Sequence, residues 1–94
     1  MTKAEAIAKI SENTGIDKAT VSDTLESFFE TVKETLISGD ALYVRGFGSF
    51  INKKRAAKKA RDISKKTTVM VPEHYVPSFK PAKEFTENVK NNVK

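Results

Sequence analysis

Ninety-four residues carrying a net charge of +5 and no cysteine form one small domain, without disulfide staples or thiolate metal sites. The first residues, Met1-Thr2-Lys3-Ala4-Glu5, lack an apolar signal core, and no apolar run approaches the length of a membrane span, so a soluble, cytoplasmic protein is expected. The charge is uneven: residues 1–45 hold five basic and eight acidic groups, a net of −3, whereas residues 46–94 hold twelve and four, a net of +8. Such a polarised field draws a polyanion to one side of the molecule.

The first predicted element is a helix announced by Thr2-Lys3-Ala4-Glu5, a capping box in which Thr2 and Glu5 satisfy each other's exposed backbone N–H groups. Ile7 and Ile10, with Ala4 and the aliphatic part of Thr14, give it a narrow apolar face, and Gly15 ends it. Asp17 caps a longer second helix, on which Val21, Leu25, Phe28, Val32 and Leu36 recur at helical spacing, widened by Phe29 and Ile37. Gly39 and Asp40 close it with a turn. Two helices joined by a short turn invite a helix-turn-helix reading, but Asp23, Glu26, Glu30 and Glu34 on the second would be repelled by phosphates. Its broad stripe is read instead as a core or dimer face. A chain this small, with part of its length too charged for any core, is expected to complete that core by dimerising.

Beyond Asp40 the period falls from 3.6 to two: Leu42, Val44, Phe47 and Phe50 lie in a strand-like run punctuated by Gly46 and Gly48. A Gly-x-Gly in that setting marks a bend or a close backbone approach, and the third glycine of a dinucleotide site is absent. From Phe50 the chain is expected to continue extended through Lys53–Lys66, which holds eight basic residues and one acid. Desolvating so many cations without partners is prohibitive, so this stretch must lie in water or against a polyanion. It turns near residues 62–66 and returns through the β-branched Thr67-Thr68-Val69-Met70-Val71. An arm of about ten residues at ~3.3 Å each reaches roughly 30 Å. Pro72 and Pro77 are expected to interrupt the return path, Val76 and Phe79 to bring it back to the core, and Lys80-Pro81 to open a last helix. Ala82, Phe85, Val89 and Val93 give that helix an apolar edge, with a polar tail fraying from Lys90.

Catalysis finds little support. His74 is the only histidine, with no nucleophile or ligand set beside it, so a surface or DNA-proximal role is expected rather than an enzyme, and no cofactor or metal is implied. The carboxylates read as a solvated helix face and the six phenylalanines as core. The basic stretch lacks the apolar helical face a membrane surface would require, which favours nucleic acid as the partner. Alanines 56, 57 and 60 between its cations allow close approach to a groove, and arginine gains from the negative potential of a narrow minor groove.

Three linked motifs, Gly46-Phe47-Gly48-Ser49-Phe50, Arg55-Ala56-Ala57-Lys58-Lys59-Ala60-Arg61 and Val76-Pro77-Ser78-Phe79-Lys80-Pro81, resemble the HU/IHF family of bacterial histone-like DNA-binding proteins over essentially the whole chain. The resemblance implies an α+β fold: an intertwined dimer with two N-terminal helices, a three-stranded antiparallel sheet extended into a β-ribbon arm, and a short C-terminal helix. It divides the single domain into a helical dimerisation part (1–40), a sheet and DNA-binding arm (41–80) and a C-terminal helix (81–94). Its implied function is to bind and bend double-stranded DNA through the minor groove with low sequence specificity, compacting the bacterial nucleoid. Its implied partners are DNA and a second copy or paralogue, no membrane, with a sequence-specific IHF-like factor or a binder of structured RNA or protein as alternatives. By position, Lys53, Arg55, Lys58 and Arg61 match DNA-contacting arm residues, Lys3, Lys80 and Lys83 match body residues that hold DNA flanks, and Gly46 and Gly48 match the saddle glycines; Lys59, beside Lys58, is expected to contact DNA with them. Leu25, Phe28, Phe29, Val32, Leu36, Phe47, Phe50 and Phe79 supply core and dimer contacts. The family's tip usually reads Arg-Asn-Pro, its proline wedging between base pairs; here Arg61-Asp62-Ile63 offers Ile63 as the wedge, and Lys66 replaces the usual glycine beyond it.

Overall fold

The computed structural model describes residues 1–62 and 67–93, with side chains described outside 59–69. It comprises two compact units, Met1–Glu34 and Thr35–Lys94.

In the first unit, helix α1 spans Lys3–Thr14 and helix α2 begins at Lys18 and runs to Ile37. The Thr2 hydroxyl accepts from the Glu5 N–H at 3.2 Å, forming the hydroxyl half of the expected capping box. Gly15 leaves α1 with φ 76° and donates to the Ser11 carbonyl. The apolar face of α1 differs in detail from expectation. Ala4 and Thr14 are exposed, and Thr14 turns its hydroxyl onto the Ile10 carbonyl at 2.7 Å; Ala6 and Ser11 flank Ile7 and Ile10 instead. Asp17 caps α2 as expected, accepting from the Thr20 N–H at 3.0 Å and the Thr20 hydroxyl at 2.7 Å. These bonds, that of the hydroxyl foremost, hold the Asp17 carboxyl below its ordinary value.

The second unit opens with the last turn of α2, which closes as a Schellman motif: Gly39 N–H donates to Leu36 O and Asp40 N–H to Thr35 O. Strand β1, Leu42–Val44, pairs antiparallel with β2, Gly48–Arg55, and β2 pairs antiparallel with β5, His74–Pro81. The sheet order is therefore β1-β2-β5. A separate two-stranded ladder joins β3, Lys58–Asp62, to β4, Thr67–Val71. Helix α3 spans Lys83–Asn92.

The strands and the last helix differ from expectation in four respects. First, the basic stretch is not one continuous strand: pairing lapses at residues 56–57 opposite 72–73, where Pro72 has no N–H to give the ladder. Two residues are skipped on each side, so Arg55↔His74 is followed by Lys58↔Val71 without a change of register. Second, Pro77 does not interrupt the return path; it pairs with Asn52 inside β5. Third, Pro81 does not open the last helix but ends β5 opposite Gly48, and Ala82 is the N-cap. Because β5 is an edge strand, prolines at 77 and 81 leave no ladder donor missing. The helix then continues through Asn92 rather than fraying from Lys90, with Val93 N–H donating to Val89 O.

Pleating gives the sheet two unlike faces. Phe50 and Phe79 stand opposite each other on one, their ring centroids 5.2 Å apart. Phe79 lies 5.1 Å from Phe47, which in turn stacks on Phe85 of α3 at 5.4 Å and 18°. The Phe47 carbonyl accepts from the Ala82 N–H at 2.9 Å, tying the β1–β2 turn to the start of α3. Asn52, on the same face as Phe50, donates to the Leu36 carbonyl at the end of α2.

A candidate nucleic-acid interface on the second sheet face

The opposite face of β2 carries Ser49, Ile51, Lys53 and Arg55, and their register partners on β5 are Lys80, Ser78, Val76 and His74. Two adjacent strands thus place Lys53, Arg55, Lys80 and His74 on one surface, all four exposed. Phe50 and Phe79 occupy the other face, whereas Tyr43 of β1, paired with Ser49, lies on the basic one.

Lys54, one residue from Lys53, belongs to the Phe50 face, and its Nζ lies 3.1 Å from Glu73 Oε1. Adjacent cations of the same strand therefore have different surroundings, one exposed on the basic face and one beside a carboxylate. Lys58 begins β3 and is exposed. Lys59 and Arg61 follow in that strand, placed by backbone register opposite Met70 and Thr68. Ile63 and Lys66 lie outside the described residues.

Lys3 is paired with Glu26 of α2, and both side chains are about half exposed. Lys83 is the first residue of α3 and exposed. The glycines act on the backbone. Gly46, with φ 80°, is the third residue of the turn closed by Phe47 N–H to Val44 O, where a type II turn requires a positive φ. Gly48 is buried, and a Cβ there would stand 2.6 Å from both the Lys80 carbonyl oxygen and Phe79 Cζ. The bend and the close approach read from Gly-x-Gly are thus separate jobs, one for each glycine.

The described core is thin. Val21, at 5% exposure, is the one buried large apolar side chain among the described residues. Leu25, Val32, Leu36 and Phe50 are half-buried, whereas Phe28, Phe29, Phe47 and Phe79 are exposed by 38–45%. Phe79, Pro81, Phe85, Thr86 and Val89 line an open apolar groove.

No grouping of metal-binding side chains occurs among the described residues, and no helix among them is long and apolar enough to cross a membrane. What the site does offer is exposed positive charge on a paired sheet, with a ribbon of further basic residues beyond it. A family of bacterial DNA-binding proteins matches residues 1–90. The chain belongs to that family. The DNA-binding protein HU of Thermotoga maritima is 38% identical over 90 residues, covering 96% of this chain and 100% of the relative. The integration host factor subunit beta of Marinobacter nauticus is 36% identical over 95 residues, covering 100% of this chain and 97% of the relative. An Anabaena HU–DNA cocrystal structure superposes with a TM-score of 0.90 at 31% identity, over 95% of this chain and 97% of that one. The α+β fold expected from the motifs is therefore the fold observed, and the family is one of DNA binders rather than of enzymes.

Residue-level reasoning missed the Lys3–Glu26 and Lys54–Glu73 pairs and the grouping of His74 and Lys80 with Lys53 and Arg55. Strand parity alone separates Lys53 from Lys54. The β2–β5 register was needed to add the other two.

Proposed function

We propose that this protein is a non-enzymatic architectural factor that binds and bends double-stranded DNA through the minor groove with low sequence preference, compacting the bacterial nucleoid. The observation that carries this reading is the segregation of Lys53, Arg55 and Lys80 onto one exposed sheet face that leads into the β3–β4 ribbon. Lys58, Lys59 and Arg61 would extend the contact along the ribbon, and Ile63 would be the wedge at its tip. Lys83 and Lys3 would hold the flanks, Lys3 exchanging Glu26 for a phosphate. Gly46 and Gly48 shape the sheet from which the ribbon leaves.

The working unit is a dimer of this single DNA-binding domain, formed with a second copy or with a paralogue. Its support is the aromatic and aliphatic surface left uncovered in one chain, at Phe28, Phe29, Phe47 and Phe79 and in the groove beside α3. Burying such side chains contributes about 1.5–3 kcal/mol each, which a lone chain of this size can ill forgo. A stable folded monomer seen by sedimentation at micromolar concentration would overturn the dimer.

The DNA reading is tested by fluorescence anisotropy of a labelled duplex at several salt concentrations. Neutralising about six phosphates gives a log–log slope near −5, and a slope shallower than about −2 refutes the mechanism. The 36% identity to an integration host factor subunit gives a second reading, sequence-specific bending. Competition of one labelled site against bulk DNA and structured RNA distinguishes the two, and preference for the RNA would refute both.

A further inference from the structure

We propose that His74 is a phosphate-contacting residue of the basic sheet face and that DNA binding by this protein takes up a proton at its imidazole. The inference rests on the DNA-binding reading above and extends it to a residue that reading does not use.

Position comes first. His74 is the first residue of β5, pairs with Arg55 across the ladder, and is exposed on the face that also carries Lys53 and Lys80. A group that meets DNA beside Arg55 meets the same phosphate row.

The second observation fixes which nitrogen is available. His74 Nδ1 lies 2.9 Å from the Pro72 carbonyl oxygen. A carbonyl only accepts, so Nδ1 carries the proton in this arrangement and Nε2 is the nitrogen not engaged by that bond. In the neutral ring Nε2 presents a lone pair, which repels a phosphate oxygen. Protonation turns the same atom into a charged N–H donor and leaves the bond to Pro72 unchanged. The ring is thereby held in place in both states, since the Pro72 carbonyl lies at the break between β4 and β5, outside the ladder pairing.

The third observation is the charge around the ring. Facing it from β2 are Arg55 and, two pairs farther along, Lys53; Lys58 lies beyond the break at a position of the opposite parity. Its chain neighbours are Tyr75 and Glu73, and the Glu73 carboxylate lies against Lys54 Nζ at 3.1 Å. Among the described residues on the His74 face no carboxylate balances these cations. A DNA phosphate supplies that counter-charge, so the bound complex favours the imidazolium and binding tightens as pH falls.

The test uses the full-length protein and a labelled duplex at constant ionic strength, between pH 8 and pH 5.5. His74→Asn keeps an amide nitrogen where Nδ1 stands, so it can still reach the Pro72 carbonyl, but it cannot gain charge. The wild type should tighten relative to His74→Asn by up to about fivefold per protomer across this range, the upper end for an exposed ion contact. Its salt slope should steepen by about 0.9 for each added phosphate contact. His74→Lys should bind as tightly at pH 8 as the wild type does at pH 5.5. Because this is the only histidine in the sequence, its ring proton resonance also reports directly, and DNA should move the titration midpoint upward. Identical pH dependence in the wild type and His74→Asn, or the same midpoint with and without DNA, overturns the proposal. Failure of every one of these proteins to bind duplex at any pH overturns the DNA-binding reading itself.

Discussion

Gly46 and Gly48 are separated by one residue, and replacing each by alanine should have different consequences for different physical reasons. At Gly46 an added Cβ meets nothing within 4 Å, so the cost is that of holding alanine at φ 80° in the turn, about 1 kcal/mol. At Gly48 the Cβ would fall 2.6 Å from the Lys80 carbonyl, a backbone atom in a paired strand, and 2.6–2.7 Å from two atoms of the Phe79 ring. Neither neighbour is the free end of a flexible side chain. Relief requires β2 and β5 to part or Phe79 to leave Phe47, Phe50 and Phe85. Overpacking of this kind costs typically 1–3 kcal/mol, and loosened strand pairing takes Gly48→Ala to the upper end, about 3 kcal/mol per protomer. Urea denaturation at one fixed protein concentration, needed because the dimer proposed above would link stability to concentration, reads both variants. Asparagine discriminates the mechanisms further, since it tolerates the left-handed region: Gly46→Asn should recover most of the loss, and Gly48→Asn none. Equal midpoints for the two alanine variants, or rescue by asparagine at position 48, would refute the close-approach argument.

The remaining predictions follow from charge and capping. Lys53→Ala and Arg55→Ala should each weaken duplex binding and flatten the salt slope by about 0.9 for each phosphate no longer neutralised, whereas Lys54→Ala, on the other face beside Glu73, should leave both nearly unchanged. A Lys54→Ala variant as impaired as Arg55→Ala would show that the two faces are not separated in the complex. Asp17→Ala should lower the thermal midpoint at neutral pH by freeing the Thr20 N–H and hydroxyl. The Asp17 carboxyl is depressed in the folded state, so its stabilisation is complete above the ordinary carboxylate range and disappears as pH falls through its folded value. The gap in thermal midpoint between wild type and Asp17→Ala should therefore close in acid; a gap that persists below pH 2 would show that the carboxylate is not its source.

What could be read from the sequence was local. Thr2, Gly15, Asp17 and Gly39 sit at helix ends because each satisfies or permits a backbone geometry within a few residues, and the stripe from Val21 to Leu36 needs only its own spacing. The strand ends were harder. Proline at 77 reads as an interruption until the sheet order makes β5 an edge, where a missing N–H costs the ladder nothing. The same fact moved Pro81 from the start of a helix to the end of a strand. Interactions across long separations left no local signal: Phe47 on Phe85, Lys3 on Glu26 and Asn52 on the Leu36 carbonyl are set by the fold. For the candidate site, the charge run was evident from composition, but the membership of its face depended on register. Lys80 and His74 join Lys53 and Arg55 only because β5 pairs with β2 as it does.

That register also explains why cations can be held out on so small a protein. Phe50 and Phe79 fill the other side of the same two strands, so the sheet is anchored by apolar contacts that make no demand on the basic face. At Arg55↔His74 the aromatic support has ended, and immediately beyond it the ladder lapses at Pro72, whose carbonyl is taken by the His74 ring. The ribbon then resumes in unchanged register, with Lys58 opposite Val71. An insertion of one residue at this lapse would invert every later side chain relative to Lys53 and Arg55. Two skipped residues on each strand preserve the alternation. The joint therefore breaks the ladder for two residues on each strand while the register of β2 with β5 continues unchanged into β3 and β4.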